Sequence, residues 1–380
     1  MMKTKSFAGT AAMMLAGFHA AAPALAQEKT SGIQPLEWVS GNTTIRIYGQ
    51  IDEGALSFDD GEKTTNYGLV GNKNSSSRLG LRTLTALDSG WDMTGNFEFE
   101  YVPHGSTAVD QTDPDEADYD LRKTNIRKME LAFSSDRYGK FWLGQGSMAS
   151  DGSAKSDLSG TTVIASAAVA DIGGGLFRMD DGVLSDISTS DAYSDYNGLG
   201  RKMRVRYDSP SFNGFRIMTS FGQDVLAEKD GNYYDIAAHY QGDLEAFDLE
   251  GGLAYSRKQA EDIDILSGSV SGLHKASGLN LTLAAAQESA AGDGSYGYVK
   301  LGWKRDFFAI GTTALSLDYY TGDDVVEDGS DSQSYGVAMV QRVDRWNTDW
   351  YLGLRNYDYD DDTADYQDGL STMIGFRVQF

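Results

Sequence analysis

The chain has 380 residues, a formal net charge of −24 and no cysteine. The acidic balance argues against nucleic acid as a partner, and the absence of cysteine excludes disulfide bonds as a source of stability. Glycine (44), tyrosine (21) and phenylalanine (16) are abundant while proline is scarce (5), which is typical of a β protein with many turns.

Residues 1–26 have the pattern of a secretory signal peptide. Lys3 and Lys5 precede an apolar stretch from 7 to 18, and Ala24-Leu25-Ala26 supplies small residues for a cleavage site. We therefore expect export, cleavage after Ala26 and a mature chain of residues 27–380. No later stretch approaches the roughly 20 apolar residues that a transmembrane helix needs.

Apolar and polar residues alternate in many segments from Thr43 onwards, which predicts about sixteen half-buried β-strands. In the first of them Ile45, Ile47 and Ile51 share one face. The predicted strands are 43–52, 77–82, 91–101, 125–133, 139–145, 202–207, 215–221, 233–240, 247–255, 263–273, 279–287, 296–304, 308–320, 335–343, 349–357 and 370–380. The segment 27–42 stays unassigned, and a loop is expected from 59 to about 75.

Short and long connections alternate between these strands over the whole mature chain. Such a distribution is the signature of an up-and-down barrel in an outer membrane, with tight periplasmic turns and longer external loops. A β-sandwich or a solenoid also alternates in hydrophobicity, but neither is expected to keep this parity of connections. The prediction is therefore an all-β, 16-stranded antiparallel transmembrane barrel.

The two faces of the predicted strands differ in a way that fits a water-filled interior. One face is apolar, and the other carries too many charges to be buried in a dry core. We therefore expect the apolar face to meet lipid or a neighbouring subunit, and the charged face to line an aqueous lumen. The basic residues predicted to line the pore are Arg46, Arg78, Arg82, Lys202, Arg204 and Arg206.

The longest connection, residues 147–200, combines an apolar middle with many aspartates. A compact domain seldom has a structureless connection longer than about 12–15 residues unless that loop is functional or disordered. A loop folded back into a wet cavity would let its apolar middle pack on the wall and its carboxylates meet water. The candidate constriction residues are Asp151, Asp157, Asp171, Asp180, Asp181 and Asp186. Residues 163–170 fit either a short helix or a segment pressed against the wall.

Several segments resemble the general porins of Gram-negative bacteria. Ser77-Arg78-Leu79-Gly80-Leu81-Arg82 with Leu87-Asp88-Ser89-Gly90 is similar to their second hairpin. Arg206-Tyr207-Asp208-Ser209-Pro210 is similar to the strand and turn after their constriction loop, and Gly375-Phe376-Arg377-Val378-Gln379-Phe380 to their closing strand. Ile47-Tyr48-Gly49 looks like the first strand. The resemblance covers essentially the whole mature chain.

The resemblance implies a trimeric barrel of sixteen strands whose third external loop folds into the pore. In that family, acidic residues on the loop face a basic cluster on the wall, for which Arg46, Arg78 and Arg82 are the best matches. Two features depart from the family pattern. Gln145 stands where many members carry an arginine, and the loop is longer and lacks a Pro-Glu-Phe-Gly type signature.

The function predicted from these observations is a passive outer-membrane diffusion channel for ions and small hydrophilic solutes, with a preference for cations and no enzymatic activity. One alternative is a porin that prefers sugars or other nutrients. Another is a non-conducting exported adhesin or structural barrel, and a third is a secreted β-rich hydrolase. The expected partners are two further copies in a homotrimer, outer-membrane lipid and lipopolysaccharide, and the transported solutes.

No cofactor is predicted. The histidines of the mature chain, His104, His239 and His274, lie far apart and lack metal-ligand spacing. Acidic clusters in the external loops could hold Ca²⁺ through oxygen ligands, although a solvated loop tip is the simpler interpretation. The clusters are Asp323, Asp324, Glu327 and Asp328, and Asp358, Asp360, Asp361 and Asp362.

Overall fold

The computed structural model describes residues 33, 35–289 and 293–380. The predicted signal peptide, residues 1–26, lies outside these residues and stays a prediction. No helix within the described ranges has both the length and the apolar character needed to span a membrane.

Nearly all regular structure is β. The strands are β1 (Leu36–Ser40), β2 (Thr43–Asp59), β3 (Thr64–Gly71), β4 (Arg78–Ala86), β5 (Asp92–Glu100), β6 (Ile126–Ser135), β7 (Gly139–Ser147), β8 (Leu176–Arg178), β9 (Leu184–Ser188), β10 (Arg201–Asp208), β11 (Phe215–Asp224), β12 (Lys229–Asp243), β13 (Phe247–Lys258), β14 (Ile263–His274), β15 (Leu279–Glu288), β16 (Ser295–Phe308), β17 (Gly311–Asp323), β18 (Asp331–Val343), β19 (Thr348–Asp360) and β20 (Gly369–Gln379). One short α-helix, α1 (Thr189–Ala192), and 3-10 turns at Lys73–Ser75, Asp88–Gly90, Lys123–Asn125, Val169–Ile172 and Asp344–Trp346 complete the set.

The strands form a closed 16-strand antiparallel barrel, as predicted. Strand β4 pairs with β5 and each later wall strand with the next, with β7 joined directly to β10. Strand β20 pairs with β2 and closes the wall. Because β3 pairs with the second half of β2 and β4 with the first half, β3 and β4 share one position in the wall.

Two strands in the N-terminal region were not predicted. Strand β1 lies against 43–47 of β2 and is exposed along its whole length, so it has no buried face to leave an alternating pattern. Strand β3 contains Asn66, Gly68 and Gly71, residue types that favour turns and loops. The predicted loop from 59 to about 75 is therefore wrong in its middle.

The connections are less regular than the predicted alternation. The links after β11 (225–228) and β13 (259–262) are as short as the turns at the opposite end of the barrel. The flanking strands instead extend and turn tightly, with Glu228 and Asp262 in the left-handed region that such turns require. The long connections after β5 and β7 follow the prediction.

Side chains alternate between the two faces of the wall, except where the strand pairing shifts, as between β5 and β6. In β15, Leu279, Leu281 and Leu283 are exposed on the outer face, whereas Asn280 and Thr282 are buried on the inner face. An outer surface of this kind suits contact with lipid, because apolar side chains then lie in the hydrocarbon and polar ones in the lumen. Aromatic rings pack near the ends of the outer face, such as Tyr319 on Tyr335 and Trp350 on Phe376.

The main hydrophobic core lies inside the barrel. It is formed between the long loop, which we define as residues 148–200, and strands β15 to β20, β2 and β3, together with Val109 of the connection after β5. Phe58, Phe177, Tyr320, Tyr357 and Tyr359 are each at most 1% exposed. The segment 163–170, for which the sequence allowed either a short helix or packing on the wall, contributes Val163 and Ile164 to this core, and a 3-10 turn at Val169–Ile172 includes its last two residues.

Candidate functional site

The first half of the long loop is held along the inner face of the wall by hydrogen bonds. The backbone N–H of Ser150 donates to Asp235 of β12 at 2.8 Å, and that of Ser156 donates to Ser269 of β14 at 2.9 Å. Further along, Thr161 and Ser316 of β17 share a hydrogen bond of 2.9 Å between their hydroxyls. The segment therefore follows the wall around from β12.

The same segment continues to β19 and β20. The hydroxyl of Tyr357 donates to the carbonyl oxygen of Val169 at 2.7 Å, and Ser371 Oγ donates to the carbonyl oxygen of Gly173. The long loop and the wall approach each other closely at Gly353 and Gly174, where there is no side chain. A Cβ added at Gly353 would lie 2.6 Å from a side-chain carbon of Ile164, and one at Gly174 would lie 2.9 Å from the ring of Phe58.

A buried lysine on β16 anchors the loop. Lys300 is completely buried, and its Nζ donates to Asp157 Oδ2 at 2.6 Å, to the carbonyl oxygen of Ala165 at 2.8 Å and to Ser159 Oγ at 3.3 Å. All three acceptors belong to the long loop. An ammonium group without water needs this full set of partners, because an unpaired buried charge is very unfavourable.

The last part of the loop returns along the same side of the barrel. Tyr193 donates through its hydroxyl to the carbonyl oxygen of Gln333 at 2.7 Å, and Tyr320 donates to that of Ser194 at 2.8 Å. The backbone N–H of Leu199 then donates to Ser150 Oγ at 3.0 Å, which joins the end of the loop to its beginning. Both passes are thus bonded to the side of the barrel that runs from β11 to β20. The loop is also bonded to segments after β3 and β5, because Asn72 Nδ2 donates to the carbonyl oxygen of Val163 at 2.7 Å and Ser106 Oγ to that of Asp171 at 2.6 Å.

The facing wall, β4 to β6, carries a network of arginines and glutamates. Arg127 donates from Nε to Glu98 Oε1 at 2.7 Å and from Nη1 to Glu100. Tyr48 of β2 donates to Glu98 Oε2 at 2.8 Å. The guanidinium of Arg82 lies over the ring of Tyr48, 5.2 Å from its centroid, and donates to Asn96 at 3.0 Å.

The six basic residues predicted to line the pore have different surroundings. Arg78 and Arg82 bond to neutral side chains, since Arg78 Nη2 donates to Ser75 Oγ at 3.3 Å. The other four form ion pairs: Arg46 with Glu37, Lys202 with Asp224, Arg204 with Glu130 and Arg206 with Asp208. Arg46 stands apart from the rest because its partner belongs to β1.

The six acidic residues predicted for the constriction are also spread out. Asp157 points to the wall and pairs with Lys300. Asp180 and Asp181 lie in the turn between β8 and β9, and Asp186 is exposed on β9. Asp151 and Asp171 lie with Lys155 and Asp195 in one charged cluster on the long loop.

This loop cluster is centred on Lys155, which pairs with Asp195 at 3.0 Å. Burial would lower the pKa of Lys155, but the carboxylates of Asp195, Asp171 and Asp151 raise it overall. Burial raises the pKa of Asp171, and Asp195 adds to that effect while Lys155 and Lys73 oppose it. The cluster therefore joins three carboxylates and one ammonium group beside Lys73, which follows β3.

Sequence reasoning missed Arg127, Glu98 and Arg377 as members of the site. Strand alternation places Glu98 with Asn96 on the inner face, so its position could have been predicted. Arg127 lies at an irregularity in the pairing of β5 with β6, which shifts the alternation and hides it. Arg377 of β20 pairs with Asp349 at 2.6 Å and reaches Ser75 at 3.1 Å, a contact between distant parts of the chain.

In the part of the chain that is described, no three or more histidine or acidic side chains are grouped so as to hold a metal ion. Calcium at the acidic loops Asp323–Asp328 and Asp358–Asp362 stays a prediction.

Comparison with known proteins agrees with the barrel and its polar interior. A family model described as Gram-negative porin matches residues 8–362. The chain belongs to the Gram-negative porin family. No match was found among curated protein sequences. The family and the fold indicate a channel in the outer membrane rather than an enzyme.

Solved structures similar to this porin are also outer-membrane proteins. The anion-selective porin from Comamonas acidovorans is 17% identical, with a TM-score of 0.59, and the match covers 89% of this chain and all of that one. OmpT of Vibrio cholerae in a trimer form is 14% identical, with a TM-score of 0.56 and coverage of 90% and 100%. OprB of Pseudomonas putida is 9% identical, with a TM-score of 0.60 and coverage of 88% and 94%. At these identities the likeness shows the shared barrel fold.

Proposed function

We propose that this porin is a passive diffusion channel for ions and small hydrophilic solutes. The observation that carries the proposal is the distribution of charge on the inner surface. Arginines and their glutamate partners line the wall at β4 to β6, and the long loop brings the carboxylates of the Lys155 cluster into the same lumen. Fixed charges of opposite sign along an aqueous passage select and orient the solutes that cross it.

The constriction is assigned to Asp151 and Asp171 among the six aspartates predicted for it. Asp157 is neutralised by Lys300 against the wall, while Asp180, Asp181 and Asp186 lie on or beside the β8–β9 turn. Asp151 and Asp171 share their cluster with Lys155 and Asp195 instead. They are therefore the members of the set that neither pair with the wall nor lie on the β8–β9 hairpin.

Planar-bilayer recording tests the function and the constriction together. The purified wild-type protein should give stable single-channel steps. Asp151→Asn and Asp171→Asn should change conductance and lower the permeability for cations relative to anions, because each removes a negative charge from the passage. Asp136→Asn is the control, since it removes an exposed carboxylate from the short turn between β6 and β7, at the opposite end of the barrel. A wild-type protein without conductance would instead support a plugged adhesin or structural barrel.

We propose as well that the channel prefers cations to anions. The acidic residues of the external connections, such as Asp113, Asp115 and Glu116, are exposed and would concentrate cations at the mouth. The arginines of the wall would favour anions instead. We assign the net preference to the mouth, where the acid excess of the chain is concentrated.

A preference for sugars is less well supported than general diffusion. A sugar pathway needs aromatic rings that are open to the lumen, but Tyr298, Tyr320 and Tyr351 are at most 4% exposed beneath the long loop. Tyr48 is partly open, yet its hydroxyl and ring are occupied by Glu98 and Arg82. Uptake of sugars into liposomes should therefore follow molecular size rather than sugar identity.

We further propose that the channel assembles as a homotrimer in contact with outer-membrane lipid and lipopolysaccharide. Support comes from the apolar outer face of the barrel and from the trimer form recorded for OmpT of Vibrio cholerae. Chemical cross-linking of the protein in isolated outer membranes should give a ladder that ends at three subunits. A ladder ending at one or two would contradict this assembly.

A further inference from the structure

Part of the long loop leaves the inner wall and reaches the external rim. Residues 174–188, which we call the outer lobe, include the hairpin of β8 and β9. The lobe contacts three separate connections at this end of the barrel: residues 60–63 after β2, the connection 101–125 after β5, and residues 361–368 before β20. These contacts are additional to those that fix the rest of the loop to the wall.

The first anchor of the outer lobe is a buried ion pair. Arg178 donates from Nη2 to Asp60 Oδ2 at 2.8 Å and from Nε to Oδ1 at 3.1 Å. Asp60 is 1% exposed and also accepts the backbone N–H of Lys63 at 2.9 Å. Two parallel bonds between a guanidinium and a carboxylate fix both distance and orientation.

The second anchor is Gln111, which bridges the lobe and Asp60. Its Nε2 donates to the carbonyl oxygen of Leu176 at 2.7 Å and to Asp60 Oδ2 at 3.2 Å, and its Oε1 accepts the N–H of Leu176 at 2.9 Å. Both ends of the Gln111 side-chain amide are therefore bonded to the backbone of Leu176, in the way that a neighbouring strand would be. The amide therefore fixes the base of the lobe.

The third anchor joins the lobe to the last external connection. The N–H of Asp180 donates to the carbonyl oxygen of Asp365 at 3.0 Å, and the N–H of Gln367 donates to that of Arg178 at 2.7 Å. Beneath them Phe177 is 1% exposed and packs on Tyr359, with ring centroids 5.5 Å apart. The lobe thus closes over an aromatic core rather than over water.

The Asp60 carboxylate stays charged over the range of pH that a cell meets. Burial would raise its pKa, but the hydrogen bonds from Arg178, from Gln111 and from the backbone N–H groups of Lys63 and Glu62 lower it to about 2. A lowered carboxyl pKa stabilises the folded state above the ordinary value, about 4, and this stabilisation is lost as pH falls toward 2. The Asp60–Arg178 ion pair therefore persists throughout this range of pH and does not act as a pH switch.

We propose that the outer lobe is a fixed screen across part of the external entrance, and that Asp60 and Arg178 are the positioning residues that hold it. Solutes then enter beside the screen, which limits the size of solute that passes. This inference rests on the proposed channel function. It adds a size filter at the rim to the charged constriction below.

Limited trypsin digestion of Asp60→Asn tests whether the pair holds the lobe. Arg178 is shielded in the native protein, with 12% of its side chain exposed, so cleavage after Arg178 reports release of the lobe. Losing hydrogen bonds to a charged partner should speed this cleavage by roughly tenfold or more. Lys300 is completely buried in the wall, so early cleavage there would signal general unfolding. Glu62→Gln is the matched control, because the Glu62 carboxylate is 53% exposed and lies 4.0 Å from Arg178.

Conductance of the same variants tests whether the lobe screens the entrance. Asp60→Asn should raise single-channel conductance and admit larger sugars into liposomes, whereas Glu62→Gln should match the wild type. If trypsin cleaved Asp60→Asn after Arg178 no faster than the wild type, the positioning role of the pair would be overturned. If cleavage became faster while conductance and the size limit stayed the same, the screen would be overturned. A silent wild-type channel would overturn the proposed function itself, which separates the two failures.

A second variant gives an answer even if Asp60→Asn does not fold. The chain has no cysteine, so Val183→Cys places a single thiol on the exposed turn of the lobe without touching an anchor. A spin label at this thiol should give the spectrum of an immobilised backbone in reconstituted protein. A motionally averaged spectrum, equal to that of an unstructured tail, would overturn a fixed screen.

Discussion

Lys300 shows how a single residue determines the path of the long loop. Its side chain lies on the inner face of β16 and has no exposure to solvent. The three oxygen atoms that it contacts come from Asp157, Ser159 and Ala165 of the loop, and together they replace the water that an ammonium group would otherwise bind. Removal of either charge would leave the other buried without a partner of opposite charge.

Substitution of Lys300 by Met should therefore strongly destabilise the loop. Leaving the buried carboxylate of Asp157 without its partner is expected to lower the free energy of unfolding by about 3–5 kcal/mol. Urea unfolding of detergent-solubilised protein, followed by tryptophan fluorescence and by heat-modifiable migration on gels, measures this loss. The loop should also become more mobile, which would appear as increased open-channel noise.

The double variant Lys300→Met with Asp157→Leu provides the matched control. Replacing both members of a buried pair by apolar side chains of similar size is often neutral or stabilising. We expect the double variant to recover most of the lost stability. Equal instability of the single and double variants would show that the site responds to lost packing and not to an unpaired charge.

The sequence predicts which face Lys300 occupies but not what it touches. Period-two alternation through Tyr298, Lys300 and Gly302 places the lysine on the inner face. Its partner Asp157 is 143 positions earlier, in a loop without a periodic pattern. The same limit explains why six loop aspartates were candidates for the constriction while only Asp151 and Asp171 lie in the Lys155 cluster.

At the scale of elements, closure of the barrel depends on the pairing of β2 with β20 and with Phe380, the residue that follows β20. Gly49 and Phe380 exchange two backbone hydrogen bonds, of 2.9 and 3.0 Å. The Phe380 ring lies so close to Gly49 that an added Cβ would stand 2.8 Å from a ring carbon and 2.7 Å from the carbonyl oxygen of Arg78. Only glycine fits at this position without moving the ring or the backbone.

Gly49→Ala should therefore weaken closure of the wall. Overpacking of a tight contact is expected to lower the free energy of unfolding by about 1–3 kcal/mol, because a ring and a strand must shift. Gly68→Ala in β3 is the control, since nothing lies within 4 Å of its added Cβ and a change below about 0.5 kcal/mol is expected there. Urea unfolding of both variants measures the difference. Equal stability of Gly49→Ala and wild type would argue that the Phe380 contact adapts freely.

Most wall strands were predictable because each has one face in lipid and one in the lumen. The elements that escaped prediction lack this contrast. Strand β1 is exposed on both faces, and the hairpin of β8 and β9 is held by Asp60 and Gln111, partners that no local pattern reveals. The short links after β11 and β13 also show that loop parity indicates a barrel without fixing the length of every connection.

At the scale of the whole molecule, charge is separated along the axis of the channel. The external connections are strongly acidic, as in the segment 110–120. On the inner wall, Arg127 pairs with Glu98 and Glu100, while Arg78 and Arg82 bond to neutral side chains. Exposed charges are screened by salt, while enclosed or partly buried ones are screened much less. The acid excess behind the net charge of −24 is therefore assigned to the mouth of the channel and not to the passage inside it.

The separation predicts that selectivity depends on salt concentration. The Debye length is about 10 Å at 0.1 M and about 3 Å at 1 M, so mouth charges act on passing ions only in dilute salt. Reversal potentials across a KCl gradient should show cation preference in dilute salt and a weaker preference, or none, in concentrated salt. The triple variant Asp113→Asn, Asp115→Asn and Glu116→Gln should lose much of the dilute-salt preference and keep the concentrated-salt value. Anion preference of the wild type in dilute salt would contradict the assignment to the mouth and would instead place control of selectivity at the arginines of the wall.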